Sequence, residues 1–336
     1  MNNKPAAMPD AELHEEAEIE RLVQNLNSLA EGEMNVGILI AYGRSAIPAL
    51  RRFLIEGRPG VVYQPRRWAV EALAGIGARD VLIEYLKQKR PIADPMVRFG
   101  EEPVENAAAR SLARWQDDDT FQTLLEISRP RSQLGFVEAL GRFRRLEAVP
   151  YMVHALEDDI CRGSAEEALR TLGTMAAPAL AEAALTHLPS AEEERPASVR
   201  RRASTLELLA EMDLPPDAWP SLRILVNEPY PNVVIAVSKI AVRMGTRADK
   251  TAAAHRLLDV LPAVDWFARM EIETSLTSLY ADAREIIEAE LAMRNAFPDQ
   301  QRVNDNALRT LLRVKRNVEA SRLPASSREG GKDSHA

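Results

Sequence analysis

The stretch Glu138-Ala-Leu-Gly-Arg-Phe-Arg-Arg-Leu-Glu-Ala-Val-Pro150 decides the fold of this chain of 336 residues. A small residue and a leucine are followed by a glycine, a short linker and a proline that opens a second apolar segment. Alanine and leucine favour a helix, and proline is tolerated in the first turn of the next helix. The stretch therefore predicts two amphipathic helices joined as a hairpin.

The same pattern recurs along the chain at intervals close to the length of one hairpin. Clear copies begin at Ile38 and Ala168, and a copy of the first helix begins at Ala72. Aligning the second residue of each apolar pair gives one register: Leu39, Leu73, Leu112, Leu140, Leu169, Leu209, Ala241, Leu276 and Leu308. The spacings average about 34 residues, the size of a two-helix unit in repeat proteins. Since one hairpin cannot bury its apolar face alone, neighbouring hairpins must stack.

Local signals predict where helices end and which aromatic side chains are buried. The glycines expected to close a helix in the left-handed conformation are Gly43, Gly77, Gly173 and Gly245. The prolines expected early in a second helix are Pro48, Pro150 and Pro178. We expect Trp68, Trp115 and Trp266 to pack between hairpins. Trp219 lies among prolines, which favours a partly exposed turn.

The segment at 138–150 resembles the short HEAT-like repeats first described in phycobilin lyases. The resemblance implies an all-α fold: an α-solenoid, or armadillo/HEAT-like superhelix, of about nine helical-hairpin repeats. It is strongest over 34–90 and 132–185. We expect an acidic segment with a capping helix at 1–33, the solenoid at 34–300, a C-terminal capping helix at 301–318 and a disordered tail at 319–336.

Composition excludes several classes of protein. Apolar residues make up 46% of the chain and charged residues 28%, as in ordinary water-soluble proteins. No apolar run approaches the length of about 18 residues that a membrane span needs, and the N-terminus lacks the pattern of a secretory signal. The only cysteine, Cys161, cannot form an internal disulfide. A cytoplasmic protein without a membrane partner is expected.

Charge and repeat spacing are both uneven. Net charge is −6 over 1–33, +6 over 34–90, −9 over 91–194 and +2 over 195–336. This layout could steer a partner of opposite charge, or could simply be solvated helix charge. Two long spacings predict insertions near 88–104 and 186–198, which either carry binding residues or are tolerated surface loops.

Polar residues on successive second helices are the predicted contacts for a partner. They are Arg51, Arg52, Lys87, Gln122, Glu126, His154 and Glu157. Arg66 and Arg67 precede Trp68 and form, with Arg51, Arg52 and Arg58, the densest basic group of the first repeats. Arginine beside an aromatic ring can bind phosphate or stack on a base, but the net charge of −7 argues against a dedicated nucleic-acid binder. These two arginines could instead pair with carboxylates of adjoining repeats.

No catalytic, cofactor-binding or metal-binding set is predicted. HEAT-like deoxyhypusine hydroxylases hold a di-iron site with several His-Glu pairs, and only His14-Glu15 has that form here. Cys161 follows Asp158, whose charge would raise the thiol pKa, so a packing role is favoured over a nucleophile. Arg200–Arg202 are interpreted as solvated charge on a helix.

A repeat array without a catalytic constellation favours a non-enzymatic scaffold that binds a protein or peptide on the concave face of the solenoid. One alternative is a HEAT-fold enzyme, lyase-like or DNA-glycosylase-like, that uses the same groove. A second is nucleic-acid binding through phosphate contacts of the Arg51–Arg67 group. No cofactor is expected, and the oligomeric state is left open.

Overall fold

Helices form the regular structure of the chain in a computed structural model that describes residues 10–88, 91–128, 132–188 and 193–322. No β-strand occurs in these ranges. The contacts divide the chain into two units, Met1–Leu172 and Gly173–Ala336. No helix among the described residues has the length and apolar content needed to cross a membrane.

The first unit is a row of helical hairpins. Its α-helices in the described residues are α1 (Asp10–Gln24), α2 (Gly32–Tyr42), α3 (Ile47–Arg51), α4 (Gln64–Ile76), α5 (Arg79–Lys87), α6 (Pro95–Leu112), α7 (Asp118–Ser128), α8 (Leu134–Phe143), α9 (Val149–Ala155) and α10 (Arg162–Leu172). A π-helical turn, Arg52–Glu56, continues α3. The first helices of the hairpins, α2, α4, α6, α8 and α10, each pack on the next, and the second helices α3, α5, α7 and α9 pack against this row.

The second unit repeats the arrangement. Its described α-helices are α11 (Ala177–Leu185), α12 (Pro196–Glu211), α13 (Trp219–Leu222), α14 (Pro231–Met244), α15 (Arg247–Val260), α16 (Trp266–Asn295), α17 (Asp299–Asn304) and α18 (Asn306–Arg322). Here α12, α14, α16 and α18 form the row of first helices, and α11, α13 and α15 pack against it. The long helix α16 is interrupted at Ala283, whose φ of −122° and ψ of 22° are not helical.

The predicted register coincides with the core. Each of the nine positions lies in a different even-numbered helix, from Leu39 in α2 to Leu308 in α18. None of them is more than 5% exposed. Side chains that recur on one face of successive first helices are thus the ones that neighbouring hairpins bury. The all-α, HEAT-like hairpin fold is confirmed.

Most predicted helix ends are confirmed. Gly43, Gly77 and Gly173 have positive φ values of 58°, 88° and 60°. Pro48, Pro150 and Pro178 lie at the first or second position of α3, α9 and α11. The prediction for Gly245 is wrong, because its φ is −69°. Glycine suits this position for another reason, since a Cβ would lie 2.7 Å from the carbonyl oxygen of Ala241.

The insertions and chain ends differ from expectation. Much of the 88–104 insertion is helical, because α6 begins at Pro95 and Asp94 caps it by accepting a hydrogen bond from the Met96 N–H at 2.8 Å. The N-terminal capping helix is α1 followed by a 3₁₀ turn, Asn25–Asn27. Helix α18 continues to Arg322. The predicted disordered tail is therefore wrong for 319–322, and its remainder, 323–336, lies outside the described residues.

Two of the tryptophan predictions are wrong. Trp68 is buried as expected and Trp115 is half-buried. Trp219 is only 5% exposed, because it opens α13 and its Nε1 donates to Asp249 Oδ2 at 2.9 Å. Trp266 is 56% exposed at the start of α16, where its ring lies against Phe267 with a centroid distance of 5.0 Å. The neighbouring prolines and apolar residues in the sequence therefore did not indicate which tryptophan is buried and which is exposed.

We expect Leu140→Ala to lower the free energy of unfolding by about 2–5 kcal/mol, because Leu140 is 0% exposed and its truncation leaves a cavity. Leu146 in the turn of the same hairpin is 49% exposed, and its replacement by alanine is expected to change stability by less than about 0.5 kcal/mol. Urea denaturation followed by far-UV circular dichroism measures both. Equal losses for the two variants would contradict the assignment of the core.

Candidate functional site

Polar side chains are exposed on the second helices of the first unit. Apolar residues of these helices, such as Leu82 in α5 and Leu124 in α7, are fully buried. Because the helices are amphipathic, their polar residues face solvent. Five of the predicted contact residues are exposed in this way, and we call them the second-helix surface: Arg52, Lys87, Gln122, Glu126 and His154.

Three exposed or half-buried arginines of the predicted basic group are engaged with carboxylates. The pairs are Arg51–Glu84, Arg52–Glu20 and Arg67–Glu71. Arg51 Nε donates to Glu84 Oε2 at 2.9 Å, and this hydrogen bond holds the pKa of Glu84 below its ordinary value. Each guanidinium in these pairs has a counter-charge within the chain, which weakens the attraction for a phosphate backbone.

Arg66 is buried and does not belong to the second-helix surface. It is only 4% exposed, and its Nε and Nη2 donate to Oε2 and Oε1 of Glu101 at 3.0 and 2.7 Å. The Tyr85 hydroxyl donates to the same Oε1 at 2.7 Å. Burial and the Glu101 carboxylate raise the pKa of Tyr85 well above its ordinary value. Arg66 joins α4 to α6, so its prediction as a partner contact is wrong.

A cavity of about 510 Å³ opens beside His154 and Glu157, and we call it the His154 pocket. Three carboxylates line its wall, those of Glu102, Glu157 and Asp158. His154 Nδ1 lies 3.8 Å from Glu157 Oε1. A concave acidic site of this size fits a lysine or arginine side chain. Sequence analysis missed Glu102 because it lies on α6, a first helix.

Cys161 lines the same pocket but is 2% exposed. Burial and the carboxylate of Asp158 raise the pKa of the thiol to about 12. Asp158 Oδ1 accepts the backbone N–H groups of Ile160 and Cys161 at 2.9 and 3.0 Å, which fixes its position beside the sulfur. The thiol is therefore protonated near neutrality and is a poor nucleophile.

The Cys161 thiol should make stability depend on pH in the alkaline range. In the unfolded chain it ionises near pH 8.5, whereas in the folded chain its pKa is about 12. The free energy of unfolding of the wild type should therefore fall relative to Cys161→Ala as pH rises above about 8.5, and the difference should be constant at lower pH. Urea denaturation of both proteins over this range measures it. A difference that does not change with pH would exclude the raised pKa.

The second unit contains a charged cluster around Arg202, which is fully buried in α12. Its Nη1 lies 2.6 Å from Glu194 Oε2, its Nη2 lies 2.8 Å from Glu228 Oε1, and its Nε donates to the Ala184 carbonyl at 2.7 Å. The interpretation of Arg200–Arg202 as solvated charge is wrong for Arg201 and Arg202, which are 7% and 0% exposed. Partners on other elements allow these guanidinium groups to be buried.

The same cluster contains residue types that can bind a metal ion. His187, Glu194 and Glu228 offer ligand atoms that all lie within 4.8 Å of one another. However, Arg202 contacts both carboxylates and already supplies their counter-charge. The residues do not fit a resident cation. The cluster instead anchors the 186–198 insertion, in which Ser198 Oγ accepts the Leu188 N–H at 3.0 Å.

Replacing Arg202 by methionine is expected to lower the free energy of unfolding by about 3–5 kcal/mol, because two carboxylates lose their counter-charge. It also leaves His187 and the two carboxylates open to a cation. We therefore expect Zn²⁺ to raise the Tm of Arg202→Met but not that of the wild type. Thermal unfolding with Zn²⁺ or with EDTA measures this, and adding His187→Ala to the variant should abolish the effect. A zinc-dependent rise in the wild type would contradict the ion-pair assignment.

Comparison with known proteins does not assign a family. No family model and no curated protein sequence matches the chain. Among solved structures, human deoxyhypusine hydroxylase in complex with glycerol is 18% identical and matches 82% of this chain and 100% of its own, with a TM-score of 0.31. The crystal structure of an engineered protein is 17% identical and matches 90% of this chain and 79% of its own, with the same TM-score of 0.31.

Proposed function

We propose that the first unit is a non-enzymatic binding module that holds a protein or peptide segment along the second-helix surface. The observation that carries the proposal is a set of exposed side chains with no role in packing. Within the described ranges, Lys87, Gln122 and Glu126 make no hydrogen bond or ion pair. Polar groups that the chain does not use internally can be satisfied by a partner.

The charges along this surface favour a partner of a particular polarity. Lys87 lies toward the N-terminal hairpins, whereas Glu126 and the acidic His154 pocket belong to later ones. A complementary segment would place acidic residues near α5 and a lysine or arginine in the His154 pocket. Such complementarity contributes to association rate and orientation more than to affinity alone.

The alternative functions have less support. Phosphate binding would use arginines that are paired with Glu84, Glu20 and Glu71. An enzyme would need an activated group, and the one thiol near a histidine has a raised pKa. The resemblance to phycobilin-lyase repeats concerns the hairpins alone and implies no reaction.

Site-specific photo-crosslinking tests this proposal. A benzoylphenylalanine at Gln122 should form an adduct with a specific partner in cells of the source organism. The same residue at Arg142, which is exposed on the first helix α8, should not. Crosslinking of similar strength at both positions, or none at either, would overturn the second-helix surface as the binding site.

The charge pattern can be tested by measuring the affinity of the chain for the partner that this crosslink identifies. The double variant Lys87→Glu/Glu126→Lys leaves the core intact and reverses the sign of two charges on the second-helix surface. We expect it to weaken binding about tenfold or more, because charges would face like charges in the complex. Arg142→Glu serves as the control and should bind like the wild type. Unchanged affinity of the double variant would show that the charge pattern does not recognise the partner.

A further inference from the structure

Helix α2 has an apolar side that none of the described residues covers. Leu39 is fully buried and Asn35 is 7% exposed on the inner side. On the outer side Met34 is 67% exposed and Ile38 is 45% exposed. A helix that is apolar around its whole circumference normally lies inside a core. The outer side of α2 therefore needs a second partner.

Gly37 lies in the middle of this outer side. A Cβ at Gly37 would meet no atom within 4 Å, whereas a Cβ at Gly32 would lie 2.3 Å from the Trp68 ring. Internal packing therefore requires glycine at position 32 but not at 37. Since glycine weakens a helix relative to alanine, no contact among the described residues explains its presence at 37. Glycine at this position would allow the backbone of another helix to approach closely.

Opposite charges mark the two ends of the same helix. Glu33 is exposed in the first turn of α2, and Arg44 is exposed just beyond its end. Neither makes an ion pair within the described part of the chain. Antiparallel pairing of two copies of α2 about a twofold axis would bring Glu33 of each copy to Arg44 of the other. A parallel pairing would bring like charges together.

We propose that two copies of this chain associate through α2, antiparallel, with Ile38 near the twofold axis. Met34 of one copy then lies opposite Ala41 of the other, and Gly37 lets the two backbones approach. The helix has 11 residues. At about 1.5 Å per residue, it offers a short interface, so we expect a dissociation constant in the micromolar range. The proposal does not depend on the second-helix surface.

Sedimentation velocity of the full chain over a range of concentrations tests the association. We expect a concentration-dependent dimer in the wild type, and a dissociation constant at least about tenfold higher for Ile38→Lys. Phe267→Lys is the matched control, because Phe267 is 74% exposed in the second unit. It should dimerise like the wild type. A chain that stays monomeric at all concentrations, or a dimer insensitive to Ile38→Lys, would overturn the proposal.

Three further variants separate the interface from a loss of folding. Arg44→Glu should weaken the dimer, and Glu33→Lys/Arg44→Glu should restore it, since the pairing is reciprocal. Gly37→Leu should weaken the dimer without lowering the Tm of the monomer, because leucine favours the helix. Failure of the double variant to restore association would refute the antiparallel arrangement. A Tm of Gly37→Leu below that of the wild type, at a concentration at which both are monomeric, would contradict the open space at Gly37.

Discussion

The stacking of first helices through their register side chains is the constraint on which the rest of each unit depends. A single hairpin has too little apolar surface to form its own core, so its stability comes from its neighbours. Leu73 and Leu140 are fully buried for this reason, although each lies in a helix of fewer than four turns. The end of such a row needs an additional element. Helix α1 and the turn containing the fully buried Leu26 pack on α2 and supply one at the N-terminal end.

The two insertions that interrupt the regular spacing share a structural feature. Each provides a carboxylate to a buried arginine: Glu101 to Arg66 in the first unit, and Glu194 to Arg202 in the second. Buried ion pairs recover little net free energy, because both charges lose their water. They do destabilise incorrect packing of the hairpins, because separating the arginine from its carboxylate would leave an uncompensated buried charge. The insertions thereby act on the packing of the hairpins, which differs from the binding role that loop insertions often have.

Helix register and helix ends depend on local periodicity and could be predicted from the sequence. Buried ion pairs depend on residues that are distant in the sequence and could not. The register residues, the prolines at helix starts and three of four positive-φ glycines follow from patterns within a few turns. Arg66 and Glu101 are 35 residues apart, and nothing near either residue indicates that they meet. The exposure of Trp266 likewise depends on what packs against α16. Of the predicted contact residues, those on the second-helix surface are exposed, whereas Arg66 is buried.

Two kinds of exposed surface among the described residues have been assigned to partners, and their chemistry separates their roles. The second-helix surface is polar and carries both signs of charge, so it remains hydrated when empty and suits reversible binding of a charged segment. The outer side of α2 exposes Met34 and Ile38 to water, which has a free-energy cost whenever it is uncovered. A surface of the second kind is best matched by a partner that is always present at the same concentration as the chain. Another copy of the chain meets that condition, and the charges of Glu33 and Arg44 at opposite ends of α2 are complementary under the symmetry that two identical copies would adopt.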